Sequence, residues 1–188
     1  RPTLREVIKV LAAADVVEVR PGAAGGIFVA SSVVPMTLLE ARSQMRVSEV
    51  SDVLEARRLL EPRVAQLAAL YGTEEDFDAM REAIEQQRDA GDDHELGLQL
   101  DLRFHMRMAR ATKNVVVLEM MRYLLRQLEI ARDMALRDEP ATTLAIAIHE
   151  RTLEAIIGGD PDVVEAAMDE HLHYLEDIWE KETGRARL

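Results

Sequence analysis

The chain has 188 residues, of which 48% are hydrophobic and 31% charged, and its formal net charge is −12; this suits one globular domain or a small domain joined to a larger one. It has no cysteine, which excludes disulfides and thiolate metal sites, so any metal must be held by His, Asp or Glu. No apolar run approaches the roughly 20 residues of a membrane span and no signal-peptide pattern opens the chain, which predicts a cytoplasmic protein.

The N-terminal segment differs in charge from the rest. Residues 1–35 carry a net charge of +1, and the remainder carries −13. Because an acidic body repels a phosphate backbone, only this segment is suited to contact nucleic acid. The chain begins with Arg, in the middle of a helical pattern and without a helix-starting residue, so we expect it to be part of a longer protein.

Apolar spacing predicts a helix over residues 2–14. Two β-branched runs, residues 16–19 and 27–29, flank a turn rich in proline and glycine and predict a hairpin. A helix followed by a hairpin is the arrangement of the second half of a winged helix, so residues 1–30 are predicted to form that half. Residues 31–35, with the sequence SSVVP, are the predicted linker.

From residue 36 to residue 188 the pattern is helical and predicts an all-α antiparallel bundle of about six helices. Two breaks carry helix-start signals. Thr73 is followed three residues later by Asp76, as in a capping box, and Asp160 precedes Pro161, as an N-cap precedes proline at the first helical position. Pro62 lies inside one apolar pattern and predicts a kink there.

Ionisable side chains lie on apolar helix faces. Asp101 and His105 are about 40° apart on the helical wheel, on the stripe that also holds Phe104 and Met108. His149 and His171 occupy the same kind of position on the last two helices. Three helices thus each turn an imidazole inward, in a chain with five histidines.

Burying such groups without partners costs several kcal/mol, roughly, so the pattern favours a shared site. Three imidazoles and one carboxylate form a complete set of ligands for Zn²⁺, Ni²⁺ or Mn²⁺. Asp101, His105, His149 and His171 are therefore the predicted metal ligands. His94 lies near a helix start and is interpreted as a partly exposed bystander.

Two arginines also lie on inward faces. Arg57 is at the centre of one apolar face, whereas Arg58 is rotated away from it, and Arg132 is the weaker second case. An inward guanidinium needs an anion. For Arg57 this is either an internal salt bridge, to Glu61 or Asp101, or a ligand; a small carboxylate could bind the metal by one oxygen and the guanidinium by two hydrogen bonds.

The sequence resembles a known family at both ends. RPTLREVIKVLAAADVVEVRPGAAGGIFV is similar to the recognition helix and wing of a GntR-type winged helix-turn-helix. EARRLLEPRVAQLAA, DLRFHMRMARATKN, HERTLEAIIGGD and AAMDEHL are similar to the FCD effector domain of its FadR-like subfamily. The resemblance covers nearly the whole chain, and the first two helices of the winged helix are absent, so we expect this chain not to bind an operator by itself.

The resemblance implies a bacterial, homodimeric transcription regulator, a repressor, whose helical domain binds a metabolite. It implies a metal held by one Asp and three His at the four positions given above. Arg57 and Arg132, together with Asn114 at the end of the DLRFHMRMARATKN motif, are the predicted effector-binding residues, for a small organic acid or sugar acid. The implied contacts to operator DNA are Arg1, Thr3, Arg5 and Gly22.

Two other functions remain open from the residues alone. A His-rich site with an open position could serve a metal-dependent hydrolase, although the chain has no HExxH motif and no spare general base on the inward stripes. A purely structural helical dimerisation domain with a satisfied polar core is the other alternative.

Overall fold

The computed structural model describes residues 4–13, 16–20, 22, 25–30, 47–137 and 139–184. Its contacts divide the chain into two compact units, Arg1–Arg46 and Val47–Leu188. The predicted linker at residues 31–35 and the predicted start of the helical body at Met36 lie outside the described residues.

The first unit contains a helix and a hairpin, as predicted. Helix α1 spans Leu4–Ala13, and strands β1 (Val17–Arg20) and β2 (Gly26–Val29) pair antiparallel, with Val17 opposite Val29. The Arg20 guanidinium lies 4.8 Å from the centroid of the Phe28 ring, a cation–π contact across the hairpin.

The predicted DNA contacts fall mostly outside what the structure describes. Arg1 and Thr3 are not described, and of Arg5 only the backbone, in α1, is described. Gly22 is exposed and has φ of +106°, a conformation that favours glycine and explains its place in the turn. Contact of these residues with DNA stays a prediction.

The second unit is helical throughout its described residues. Its helices are α2 (Val47–Tyr71), α3 (Glu74–Asp89), α4 (His94–Ala111), α5 (Val115–Gln127), α6 (Glu129–Ala135), α7 (Glu139–Gly158) and α8 (Pro161–Thr183). The described residues of this unit, 47–137 and 139–184, therefore hold seven helices where the sequence predicts about six. The additional break is at Leu128, a buried residue with φ of −97° and ψ of 5°.

Both predicted helix-start signals are present. The Asp76 carboxylate accepts from the backbone N–H of Thr73 at 2.8 Å, completing a capping box. The Asp160 side chain accepts from the backbone N–H of Asp162 at 3.0 Å, and Pro161 occupies the first turn of α8. Helix α2 runs through Pro62 as one continuous helix.

The helices of the second unit pack around one apolar core. Among its largest fully buried side chains are Phe104, Met80, Met108, Met121 and Met168. The Phe104 ring stacks on the His149 ring with centroids 4.2 Å apart, so the core directly supports the polar residues that it surrounds. Among the described residues, none of the helices combines the length and apolarity needed to cross a membrane.

Candidate metal and effector site

Three histidines from three different helices meet inside the second unit. His105 lies on α4, His149 on α7 and His171 on α8, and all three are buried. One ring nitrogen of each lies within 4.8 Å of those of the other two, a spacing that could hold a metal ion. Inward-facing positions that are far apart in the sequence are thus brought together by the packing of α4, α7 and α8.

Asp101 lies beside this group of histidines and contacts one of them. Its Oδ1 is 3.4 Å from His149 Nε2, and its Oδ2 accepts from Arg132 Nε at 2.6 Å. Burial is the largest single influence and would raise the pKa of the Asp101 carboxyl, but the Arg132 guanidinium, together with the nearby His149 and His105, more than offsets it and holds this pKa well below its usual range. The carboxylate is therefore charged and available to a cation.

Two histidines of this cluster, His149 and His171, are held in the neutral form that binds metals. Burial lowers the pKa of the His149 imidazole to about 3, although the Asp101 carboxylate opposes this. Burial also lowers the pKa of His171 well below its ordinary value, and the nearby His105 and His149 lower it further. Neutral imidazoles are the metal-binding form, so both side chains can act as ligands at neutral pH.

Each histidine has its Nδ1 atom near a polar partner from another helix. His149 Nδ1 is 3.1 Å from Gln87 Oε1, and His171 Nδ1 is 3.1 Å from the Thr152 hydroxyl. His105 Nδ1 is 3.2 Å from a Glu61 oxygen, within ion-pair distance but without the geometry of a hydrogen bond. Such partners orient metal-binding histidines and set their tautomers.

Gln87 and Thr152 are site residues that the sequence analysis missed. A signal was available for Gln87, because it lies three and seven residues after Ile84 and Met80, on the buried face of α3. Thr152 likewise lies three residues after His149 on the buried face of α7. Neutral polar residues at such positions are common, and their periodicity alone does not separate them from ordinary core positions.

The sequence left two roles open for Arg57, an internal salt bridge or contact with a ligand, and the structure shows the salt bridge. Arg57 Nε donates to Glu61 Oε1 at 2.5 Å, one helical turn along α2, and both side chains are buried. Burial would raise the pKa of Glu61, but the Arg57 guanidinium holds it well below its usual range. Glu61 therefore contacts both the Arg57 guanidinium and the ring of His105.

Arg132 is the second buried arginine of the site. In addition to Asp101, it donates through Nη2 to the backbone oxygen of Leu98 at 2.5 Å. Both Arg57 and Arg132 border a cavity of about 30 Å³. The remaining residues that line this cavity are Asp101, His105, Ala135, Leu136, Ala145, Ile148, His149, His171, Tyr174 and Leu175.

The structure does not bring Asn114 to this cavity. Asn114 is exposed, and its side-chain oxygen accepts from the backbone N–H groups of Val116 and Val117 at 3.0 and 3.3 Å. It is the N-cap of α5, which accounts for its place at a helix start. His94 is not among the residues that line the cavity and is partly exposed, with Nε2 2.8 Å from Asp133 and Nδ1 3.0 Å from the backbone oxygen of Leu136.

Comparison with known proteins places this arrangement in a family. The FCD domain matches residues 52–174. The chain is 30% identical over 185 residues to the HTH-type transcriptional regulator LutR of Bacillus subtilis, covering 95% of this chain and 84% of LutR. This chain belongs to the GntR family of transcriptional regulators with an FCD domain.

Other GntR-family relatives agree. The chain is 31% identical over 191 residues to the Uxu operon transcriptional regulator of Escherichia coli, covering 92% of the chain and 69% of that protein. The structure of Streptococcus agalactiae GntR has the same fold, with a TM-score of 0.62 and 24% identity over 92% of this chain and 79% of that one. The FCD fold predicted from the sequence is confirmed.

Membership of the GntR family decides between the functions left open by the residues. The relatives are transcriptional regulators and not enzymes. This chain is accordingly a metabolite-responsive transcription regulator, and its histidine cluster is part of a regulatory domain able to hold a metal.

Proposed function

We propose that this GntR-family regulator is a cytoplasmic, homodimeric repressor whose FCD domain senses a small carboxylate through a bound divalent metal ion. The metal ligands in this proposal are Asp101, His105, His149 and His171. The observation that carries it is the convergence of three buried imidazoles from three helices, with ligand nitrogens within 4.8 Å.

The donor set fits a metal ion. Three imidazoles and one carboxylate suit Zn²⁺, Ni²⁺ or Mn²⁺ and leave room for a water or a ligand oxygen. His149 and His171 are neutral and Asp101 is charged near neutral pH, which are the protonation states that metal binding requires. When bound, the metal would supply a Lewis-acidic position for an effector oxygen.

The charges around the cavity favour an anionic effector. Arg57 and Arg132 are each paired with one carboxylate, Glu61 and Asp101, so these four groups sum to zero. A divalent ion adds two positive charges to a buried cavity, which then attracts an anion. The cavity volume of about 30 Å³ is small, which favours a short carboxylate over a sugar acid.

Arg57 and Arg132 each keep one nitrogen that is free to donate to an effector. Arg132 uses Nε and Nη2 as described above, and Arg57 donates to Glu61 from Nε at 2.5 Å and from Nη2 at 3.4 Å. In each guanidinium, Nη1 has no hydrogen-bond partner among the described residues. A carboxylate bound to the metal by one oxygen could accept from either Nη1 with the other. Arg57 and Arg132 are therefore the proposed effector-binding residues.

DNA binding is assigned to the N-terminal unit. Arg1, Thr3, Arg5 and Gly22 are the proposed contacts to a palindromic operator bound by a dimer. Control of a particular operon is what the name of the Uxu operon regulator states of that protein, and we extend that role to the present chain.

The metal part is tested by elemental analysis of protein purified without a metal-affinity tag. The wild type should carry close to one equivalent of metal per chain, and His149→Ala should lose it. His173→Ala is the matched control and should leave the metal unchanged, because His173 lies two residues from His171 but is half-exposed at the surface, beside Asp169. Wild-type protein that neither carries metal nor binds added Zn²⁺ would refute the site.

The sensing part is tested with the full-length regulator and its operator. Metal-loaded protein should change its operator affinity with at least one acid from a panel of short carboxylates, and Arg132→Met should abolish that response while the metal stays bound. Unchanged operator affinity across the whole panel would count against the carboxylate.

A further inference from the structure

We propose that Gln87 and Thr152 are positioning residues that fix the ring tautomers of His149 and His171, so that both histidines present Nε2 to the same metal ion. Neither residue touches the proposed metal. The inference rests on the metal site proposed above and adds two residues, from α3 and α7, that would control its affinity.

The tautomer of His171 follows from the hydrogen bonds of Thr152. Its hydroxyl donates to the backbone oxygen of Ile148 at 2.9 Å, one turn earlier in α7. The hydroxyl has one proton, so toward His171 Nδ1, at 3.1 Å, it can only accept. His171 must then carry its proton on Nδ1, which leaves the lone pair on Nε2.

The tautomer of His149 follows in the same way from its contact with Gln87. Its amide oxygen lies 3.1 Å from His149 Nδ1 in good hydrogen-bond geometry, and an amide oxygen only accepts. His149 therefore donates from Nδ1 and keeps its lone pair on Nε2. The Gln87 side chain is fully buried on α3, a helix that contributes no metal ligand, so it holds the ring from outside the ligand set.

The position of Asp101 agrees with this assignment. With the proton on Nδ1, His149 Nε2 carries a lone pair 3.4 Å from Asp101 Oδ1, and the ionised carboxylate also has only lone pairs to offer. Two acceptors facing each other repel unless a cation binds both. The arrangement set by Gln87 is thus one that metal binding relieves.

His105 differs from the other two histidines. Its Nδ1 lies 3.2 Å from Glu61 but is not aligned for a hydrogen bond, so the structure assigns no tautomer to this ring. The inference is restricted to the two histidines whose Nδ1 atoms are hydrogen-bonded.

Matched substitutions separate the effect of losing the hydrogen-bond acceptor from the effect of changing the packing. Gln87→Met and Thr152→Val keep the approximate size and remove the acceptor, whereas Gln87→Glu and Thr152→Ser keep an acceptor. Zn²⁺ affinity of the full chain is measured by competition with a chelating dye. The first two variants should bind Zn²⁺ about 10- to 100-fold more weakly, the range typical for partners of metal-bound histidines; the other two should stay close to the wild type.

Nitrogen-15 NMR of the imidazole rings gives a readout independent of metal and of the variants. In metal-free wild-type protein, both His149 and His171 should show the Nδ1–H tautomer. Signals of an Nε2–H tautomer at His149 would mean that Gln87 presents its amide nitrogen instead, and would overturn the inference for that residue.

The two proposals fail in different ways. Wild-type protein that binds Zn²⁺ while Gln87→Met and Thr152→Val bind it equally well overturns the positioning role and leaves the metal site standing. Wild-type protein that does not bind Zn²⁺ refutes the metal site itself, and the positioning role with it.

Discussion

Arg57 and Arg58 are neighbours in the chain, but they belong to opposite kinds of electrostatic environment. Arg57 is buried and pairs with Glu61 of its own helix. Arg58 lies at the surface and pairs with Asp169 and Glu176 of α8, both at 2.6 Å. One arginine belongs to the polar cluster inside the bundle, and the other links two helices at its edge.

The difference shows which charges need a functional explanation. A surface pair is solvated before and after it forms, so it is inexpensive and contributes little. A buried pair loses hydration that mutual attraction does not always recover, and apolar residues of similar size often serve stability as well or better. Among the described residues, the arginine pairs with both side chains buried are those of Arg57 and Arg132, and both arginines border the cavity, which supports a role in binding.

The largest expected effect comes from breaking the buried pair on one side. Arg57→Met should lower the free energy of unfolding by about 3–5 kcal/mol, because Glu61 is left charged and unpaired in the core. Urea denaturation of the metal-free protein measures this loss. The double variant Arg57→Met, Glu61→Leu should recover much of it; a double variant as unstable as the single one would contradict this account.

Acidification should act next, through the buried histidines. Unfolded His149 has a pKa of 6.5 and folded His149 one of about 3, so below pH 6.5 the unfolded state binds a proton that the folded state excludes. Stability is therefore lost as the pH falls from 7 to 5, by about 2 kcal/mol from His149. His171 adds a loss in the same direction.

Asp101 and Glu61 do not oppose this trend between pH 7 and 5. Their pKa values are depressed in the folded state, and unfolded carboxyls titrate near pH 4, approximately, so their contribution is constant in this range. Urea denaturation at several pH values with chelator present measures the slope, and His149→Gln should reduce it. If the stability of the wild type did not change from pH 7 to 5, the conclusion that His149 and His171 are buried in their neutral form would be wrong.

The smallest effect is expected at the surface. Arg58→Ala should cost about 1 kcal/mol, the upper end for a surface pair, because Arg58 and Asp169 are accessible to water although Glu176 is buried, and the loss should shrink in high salt. Arg151→Ala, which removes the exposed pair to Glu170, is a matched control from α7. If Arg58→Ala destabilised as much as Arg57→Met, the contrast between the two arginines would be wrong.

The sequence predicts the helical fold and the inward histidines because both follow from one periodicity. The wheel places Asp101 about 40° from His105, but it does not show that Arg132 takes one oxygen of Asp101. The break at Leu128 was missed because no Gly or Pro marks it. Asn114 was assigned to the effector because it ends a motif, whereas the structure uses its side chain to begin α5.

The three histidines lie on three different helices, of which only α7 and α8 are consecutive in the sequence, and this has a mechanical consequence. An ion held by His105, His149 and His171 would cross-link α4, α7 and α8 at one point. Loss of the ion would then loosen all three helices together. Amide hydrogen exchange should accelerate in the three helices on chelation, while α3, which holds Gln87 and no ligand, should respond less.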